Sequence, residues 1–328
     1  MNAMLTTSLC AALALPLAGQ TGGGTKPPPK GEMPQAGAAD AKPMYMGVEA
    51  LLGAKVYATG AGGATPIDDA EKLELKDLVV DADSGHTIWA VLEHDGRVVA
   101  VPPSLLECSR PADDPKGKEE IELHVEAARL KNLPAFDLEK AREASFDPAV
   151  VALESSWTAV GIPTPREAGA PRSKDMVPGT PTVVVTGTEF MTLPARFALA
   201  SKLDGIDVFA RSDDIGDVED LIVDTKDHRI AYAIVASGGV LGVGEEKYLV
   251  PFKALCAGHP KDDKDKTVLV IDLPKDAVSV HDARYEKPET GVLSKERAEL
   301  ADKTFEPVIK AKASRAQHGD KKDKATGG

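Results

Sequence analysis

The feature that most constrains this chain is that part of it is written twice. Leu78-Val79-Val80-Asp81 returns as Leu221-Ile222-Val223-Asp224, and Ile88-Trp89-Ala90 returns as Ala231-Tyr232-Ala233, both after 143 positions. Val101-Pro102 returns as Val250-Pro251 after 149 positions, so the second copy holds six extra residues where Gly238, Gly239, Gly242 and Gly244 cluster. Repetition at this spacing means two like units built by the same local rules, and it constrains architecture more than any short motif. Within each unit the residues favour strands. Val218, Asp220, Ile222 and Asp224 alternate with Glu219, Leu221 and Val223, and Ile230 to Ala236 is a β-branched and aromatic run, both suited to a pleated surface. Thr225 to Arg229 is a polar turn between them, and Tyr248 to Val250 is a further strand before Pro251 removes a ladder donor. In the first unit His94-Asp95-Gly96-Arg97 replaces the long glycine connection, since Asp-Gly accepts the positive φ of a two-residue hairpin. Gly53 to Ala58 and Gly205 to Ala210 read as matching opening strands, and Ile121 to Val125 and Val268 to Leu273 as matching later ones. Two-residue alternation predicts that Tyr232 faces inward with Ile230 and Ile234.

The second copy reads DLIVD, then IAYAIV, then GGVLGVGE, then LVPFKAL, and that order resembles the PRC-barrel family. The first copy resembles it more loosely, with no counterpart of Ile215-Gly216 at Lys72-Leu73. Its segment Leu130-Lys131-Asn132-Leu133-Pro134-Ala135-Phe136 resembles the closing segment that follows the barrel in secreted members. The resemblance implies a mainly β fold of two small PRC-type β-barrels in tandem, joined by a Pro/Gly-rich linker with short helices. On that reading residues 1–20 are a signal peptide, 21–43 a disordered spacer and 44–136 a divergent first barrel. Residues 137–195 are then a linker with short helices, 196–287 the second barrel, and 288–328 a short helix and basic disordered tail. Ser294 is placed to cap that helix, which is expected to reach Lys303. Because Gly161 to Pro194 lacks apolar periodicity, the barrels are expected to fold independently and to stay apart.

Composition narrows the partners. Hydrophobic residues make up 42% of the chain and aromatics only 4%, so packed cores must be built from Val, Leu, Ile and Ala. A formal net charge of −13 repels phosphate backbones and anionic lipid, which argues against nucleic acid. Leu5 to Ala18 is an apolar run followed by Gly19-Gln20 and the low-complexity TGGGTKPPPKG. This fits the core, cleavage zone and mature spacer of a secretory signal, although no Lys or Arg precedes it. The run is short for a membrane span, and no other segment approaches the ~20 apolar residues a transmembrane helix needs. A periplasmic or secreted location is expected. There Cys108 and Cys256, near-equivalents offset by one residue, meet an oxidising environment, and separated barrels would leave them as free thiols.

No residue of the chain is assigned a catalytic, cofactor-binding or metal-ligating role. The G-x-S-x-G elbow, G-K-[ST] phosphate loop and H-E-x-x-H helix are absent from the sequence. Gly239-x-x-Gly242-x-Gly244 has the outline of a phosphate cradle, but Glu245-Glu246 follows at once and a strand, not a helix, comes next. His86 and His228 fall in the same turn of their repeats and read as turn residues rather than ligands. Asp213, Asp214, Asp217, Glu219, Asp220, Asp224 and Asp227 are numerous enough to hold calcium, yet alternation turns Glu219 away from Asp220 and Asp224. Trp89 and Tyr232 occupy matching strand positions and read as core.

The family resemblance then implies a non-catalytic module that docks a protein partner or serves a structural role, of the kind tied to stress or the envelope. Docking modules resembling the reaction-centre H subunit or a ribosome maturation factor belong to the same reading. A different class, a small-ligand carrier or enzyme, would use a cleft between the barrels.

Overall fold

The structure, a computed structural model, describes residues 45–52, 54–58, 73–82, 84–94, 96–109, 120–123, 130, 133–143, 190–192, 197–238, 246–260, 263, 266–278, 284–286 and 292–323. All belong to one compact unit, Lys42–Gly328. The signal segment and spacer expected at 1–43, the connection from Gly239 to Gly244 and most of the expected linker, 144–189, lie outside the described residues.

The chain opens with β1 (Tyr45–Gly47), which runs directly into helix α1 (Val48–Leu51). Then come β2 (Lys55–Ala58), β3 (Leu73–Asp81), β4 (Thr87–His94), β5 (Arg97–Val101), β6 (Leu106–Ser109), β7 (Glu120–Leu123), helix α2 (Leu138–Glu143) and β8 (Phe190–Thr192). The second repeat begins with β9 (Phe197–Leu199), which again runs directly into a helix, α3 (Ala200–Leu203). It continues through β10 (Asp207–Ala210), β11 (Asp213–Asp224), β12 (Arg229–Ser237), β13 (Glu246–Pro251), β14 (Leu255–Pro260) and β15 (Val268–Ile271). Helix α4 (Lys275–Val278), β16 (Val292–Leu293) and helix α5 (Lys295–Asp323) complete it.

The protein is mainly β. One sheet is ordered β5-β4-β3-β2-β7-β6, the other β13-β12-β11-β10-β15-β14-β8, and in both a parallel pair, β2 with β7 or β10 with β15, sits at the same place. The β-bulges coincide as well. Register shifts fall at Leu75/Asp77 and Val79/Val80 in one sheet, and at Val218/Asp220 and Ile222/Val223 in the other. Like sequence therefore gives like irregularity, and a bulge is a conformational choice made by particular residues rather than an accident. The Asp-Gly hairpin forms as the sequence predicts, with His94 opposite Arg97 and Gly96 at φ +72°.

What the two repeats do with their opening strands corrects the expectation of independent, separated units. β1 heads the first repeat but pairs with β11 of the second sheet, Tyr45 opposite Asp224 and Gly47 opposite Ile222. β9 heads the second repeat but pairs with β3 of the first sheet, Phe197 opposite Asp81 and Leu199 opposite Val79. β3 and β11 are long strands, and each leaves one stretch of backbone to be paired. Each opening segment finds that stretch on the other sheet, an exchange of like elements that costs little because the contacts made are those the unit would make with itself. One contiguous cluster of buried apolar residues accordingly runs from Met46 through both sheets to Phe305 and Val308.

Two further expectations are revised by local physics, and a third, that the cysteines stay out of a disulfide, holds for a different reason. Tyr232 is buried, but with Ile222, Ile234, Leu249 and Ala298, whereas Ile230 joins the larger core. The bulge at Ile222/Val223 pairs Tyr232 and Ile230 with adjacent residues of β11, so the two-residue alternation breaks between them. Helix α5 begins as expected, with Ser294 Oγ accepting from Arg297 N at 3.3 Å, but it continues to Asp323 where a disordered tail is expected from the charge. Phe305 and Val308 anchor it in the core, Lys310 pairs with Glu306 at 2.6 Å, and Ala, Lys, Arg and Gln are strong helix formers. Cys108 faces Ile121 across its sheet, whereas Ala257, not Cys256, stands at the matching place opposite Leu269. The one-residue offset therefore turns the two cysteines to opposite faces of their strands, and neither forms a disulfide. Among the described residues no helix is long and apolar enough to cross a membrane.

Candidate functional site

The seam between the sheets brings polar groups of both repeats together. Thr87 N donates to His228 O at 2.9 Å and Ile230 N donates to Gly85 O at 2.8 Å. Thr87 corresponds to Ile230 and Gly85 to His228, each 143 positions apart, so the two bonds are the same bond made twice. His86 lies opposite Arg229, its own counterpart, as an isolated antiparallel bridge. A residue that meets its own equivalent sits on a two-fold axis, the mark of an isologous interface. Backbone geometry repeats too: Gly85 has φ +75° and His228 φ +48°. A Cβ on Gly85 would lie 2.6 Å from Ile230 O and 2.9 Å from Phe252 Cδ1, so glycine is required at one end of the seam.

Buried carboxylates brace this seam. Asp81 Oδ1 accepts from Ser84 N at 3.0 Å, and Asp224 Oδ1 from Lys226 N and Asp227 N at 3.0 and 3.2 Å. Each thereby closes the turn after its strand. Asp77 and Asp220 cap the exchanged helices. Asp77 Oδ1 accepts from Leu78 N at 2.8 Å and Ser201 N at 3.2 Å, while its Oδ2 accepts from Ser201 Oγ at 2.5 Å. Asp220 Oδ1 accepts from Leu221 N at 2.7 Å and Glu49 N at 3.2 Å. A carboxylate from each sheet thus holds the helix that heads the other repeat, satisfying N–H groups that a helix start leaves open. Burial pushes the imidazoles of His86 and His228 below their usual pKa, with Arg229 adding to the effect at His86.

Beside the seam the two-fold likeness breaks down and leaves a hollow of about 50 Å³, lined by Leu51, Leu75, Leu78, Thr87, Pro103, Leu106, Cys108, Val223, Thr225 and His228. Leu51, Leu75, Leu78, Thr87, Pro103 and Val223 are buried, whereas Leu106, Cys108, Thr225 and His228 are half-buried and form its solvent side. In the other half Phe252 stands where Pro103 does and Ile230 where Thr87 does.

The residues marked in the sequence are placed as follows. Asp213, Asp214, Asp217, Glu219 and Asp227 are exposed, and Asp220 and Asp224 are engaged as described. Glu219 instead pairs with Lys247, and Asp214 offers its backbone carbonyl to Lys275 at 2.8 Å. The seven acidic groups are not brought to one point, and among the described residues no group of three His, Cys, Asp or Glu could hold a metal ion. The glycines proposed and rejected as a phosphate cradle lie outside the described residues. Tyr232 is core: its hydroxyl donates to Ala298 O at 3.2 Å, its ring meets Tyr45 edge-on at 5.8 Å, and burial raises its pKa far above the ordinary tyrosine value. Sequence reading missed the Asp77–Ser201 and Asp220–Glu49 caps. The equal spacing of Asp77 and Asp220 was visible, but each partner lies in the other repeat.

The strand order with its parallel pair, the bulges and the Val-Pro turn leading into a single 3-10 turn at Phe252–Ala254 define a recognisable unit in the second half. Residues 196–278 match the PRC-barrel domain. The matched PRC-barrel segment starts at β9, which pairs with the first sheet, and omits β1, which completes its own. No curated protein matches the chain.

Proposed function

We propose that this is an exported, non-catalytic protein of two PRC-type barrels in tandem, residues 44–136 being a divergent copy of residues 196–287, which docks a protein partner or braces an envelope structure. The shared strand order and coincident bulges support the tandem reading. The observation that carries the functional reading is the use made of the buried carboxylates. Among the described residues Asp77, Asp81 and Asp224 are the buried carboxylates that acid–base work would draw on, and each accepts from backbone N–H groups that close turns or cap exchanged helices. Such an arrangement invests its polar core in a rigid body whose outer faces are free to recognise. The negative charge favours a protein partner with a basic face over nucleic acid.

Two measurements test this. N-terminal sequencing of the protein from envelope fractions is expected to show cleavage near Gly19-Gln20, and an intact N-terminus in the cytosol would refute export. Crosslinking in cells, with mass spectrometry, is expected to join one protein to the wild type and to lose it when exposed Asp213, Asp214 and Asp217 are changed together to Lys. A crosslinked partner that survives that reversal would place docking elsewhere, and recovery of no partner would count against the docking role.

A further inference from the structure

We infer that the hollow beside the seam is a binding site for a small uncharged aliphatic alcohol of one or two carbons, with the hydrocarbon against Leu75, Leu78 and Val223 and the hydroxyl on Thr87. The inference is independent of the docking proposal. It rests first on broken symmetry. In the second half the place is filled, because Phe252 lies against Gly85 with its Cδ1 2.9 Å from where a Cβ would be. In the first half the pair becomes Pro103 and His228, and a hollow of about 50 Å³ remains. Cores pack at crystal density, so space left on one side alone of a two-fold design has no packing reason.

The second ground is a polar one. Thr87 lines the hollow, is only 5% exposed, and its Oγ1 has no hydrogen-bond partner among the described residues. The equivalent residue is Ile230, so the hydroxyl occurs only where the hollow does. An unpaired buried hydroxyl is costly, and most such groups are satisfied by something. The volume exceeds the roughly 10–15 Å³ that one water needs, but a water needs two to four polar partners and these walls are mostly apolar. It is about a third of an apolar cavity that takes benzene, which limits the ligand to a slim aliphatic body. A charged ligand is disfavoured, because burial keeps His228 below its usual pKa and, among the described residues, no Lys or Arg lines the hollow. One hydroxyl on such a body satisfies Thr87 and fills the space.

The test uses the full-length protein with methyl NMR, ethanol as the alcohol and xenon as the purely apolar probe. Saturable shifts confined to the methyls of Leu75, Leu78, Val223 and Thr87 are expected with both. Thr87→Val keeps the shape and removes the hydroxyl, so it should weaken ethanol roughly tenfold and leave xenon unchanged. Pro103→Phe with His228→Gly copies the filled half and should abolish both. Should that double variant fail to fold, Leu78→Phe fills the hollow from another wall and is expected to do the same. The inference is overturned if neither probe gives saturable shifts there, if Thr87→Val leaves ethanol affinity intact, or if a folded, filled variant still binds.

Discussion

Replacing Asp77 by alanine should cost about 4 kcal/mol of stability, and the same change at its counterpart Asp220 only about 1 kcal/mol. Asp77 is fully buried and accepts from Leu78 N, Ser201 N and Ser201 Oγ. The serine hydroxyl can rotate towards another acceptor, but the two backbone N–H groups cannot, and each buried donor left unmade costs about 1–3 kcal/mol. Asp220 also serves two backbone donors, yet it is half-buried and Glu49 is exposed, so water can replace the carboxylate there. Asp77→Asn, which keeps one oxygen acceptor, should fall between. Guanidinium unfolding followed by circular dichroism gives the energies, and hydrogen exchange at Ser201 N reports the local effect. Loss of protection at Ser201, 124 residues from the substitution, is the signature of the exchange. The reasoning fails if Asp77→Ala costs under 1 kcal/mol, if the two alanine variants are equal, or if Ser201 protection is unchanged while stability falls.

Tyr232→Phe should cost about 0.5–1.5 kcal/mol for the bond to Ala298 O and Tyr232→Ala about 3–5 kcal/mol; an alanine cost under about 1 kcal/mol in chemical denaturation would place the ring in solvent. Gly85→Ala should cost about 2–5 kcal/mol through its positive φ and the contacts with Ile230 O and Phe252. His228→Gly should stay within about 1 kcal/mol of wild type, because relief of left-handed strain offsets added chain entropy; equal losses in thermal unfolding would contradict this. His86 and His228 have depressed folded pKa values, so the unfolded chain binds more protons, and stability should be full above the ordinary histidine pKa of about 6.5 and fall as pH drops through the folded values. Guanidinium midpoints from pH 7.5 to 5 should therefore fall less for His86→Gln with His228→Asn, and an unchanged slope would refute it. Alkylation of the non-reduced, denatured mature protein should label both Cys108 and Cys256, and a crosslink between them would overturn their placement on opposite strand faces.

The sequence by itself determined the mainly β character, the Asp-Gly hairpin and the Ser294 cap, because each is decided by residues close together in the chain. Two-residue alternation, turn glycines and capping hydroxyls act over a few positions. The near-equivalence of Cys108 and Cys256 was legible as well, and strand alternation alone turned its one-residue offset into opposite faces. Only the tertiary structure decided where β1 and β9 go. Each opening strand is equally suited to the long strand of its own repeat or of the other, since the two are near copies, and local sequence carries nothing that separates the choices. The same likeness hid the caps at Asp77 and Asp220, whose partners are distant in the chain. Helix α5 outran its reading because packing of Phe305 and Val308 supports a charged stretch that charge alone marks as unfolded. The hollow was also beyond reach: Pro103 and Thr87 are ordinary residues in sequence, and they matter only because Phe252 and Ile230 occupy the same places across a two-fold axis that exists in space and not along the chain.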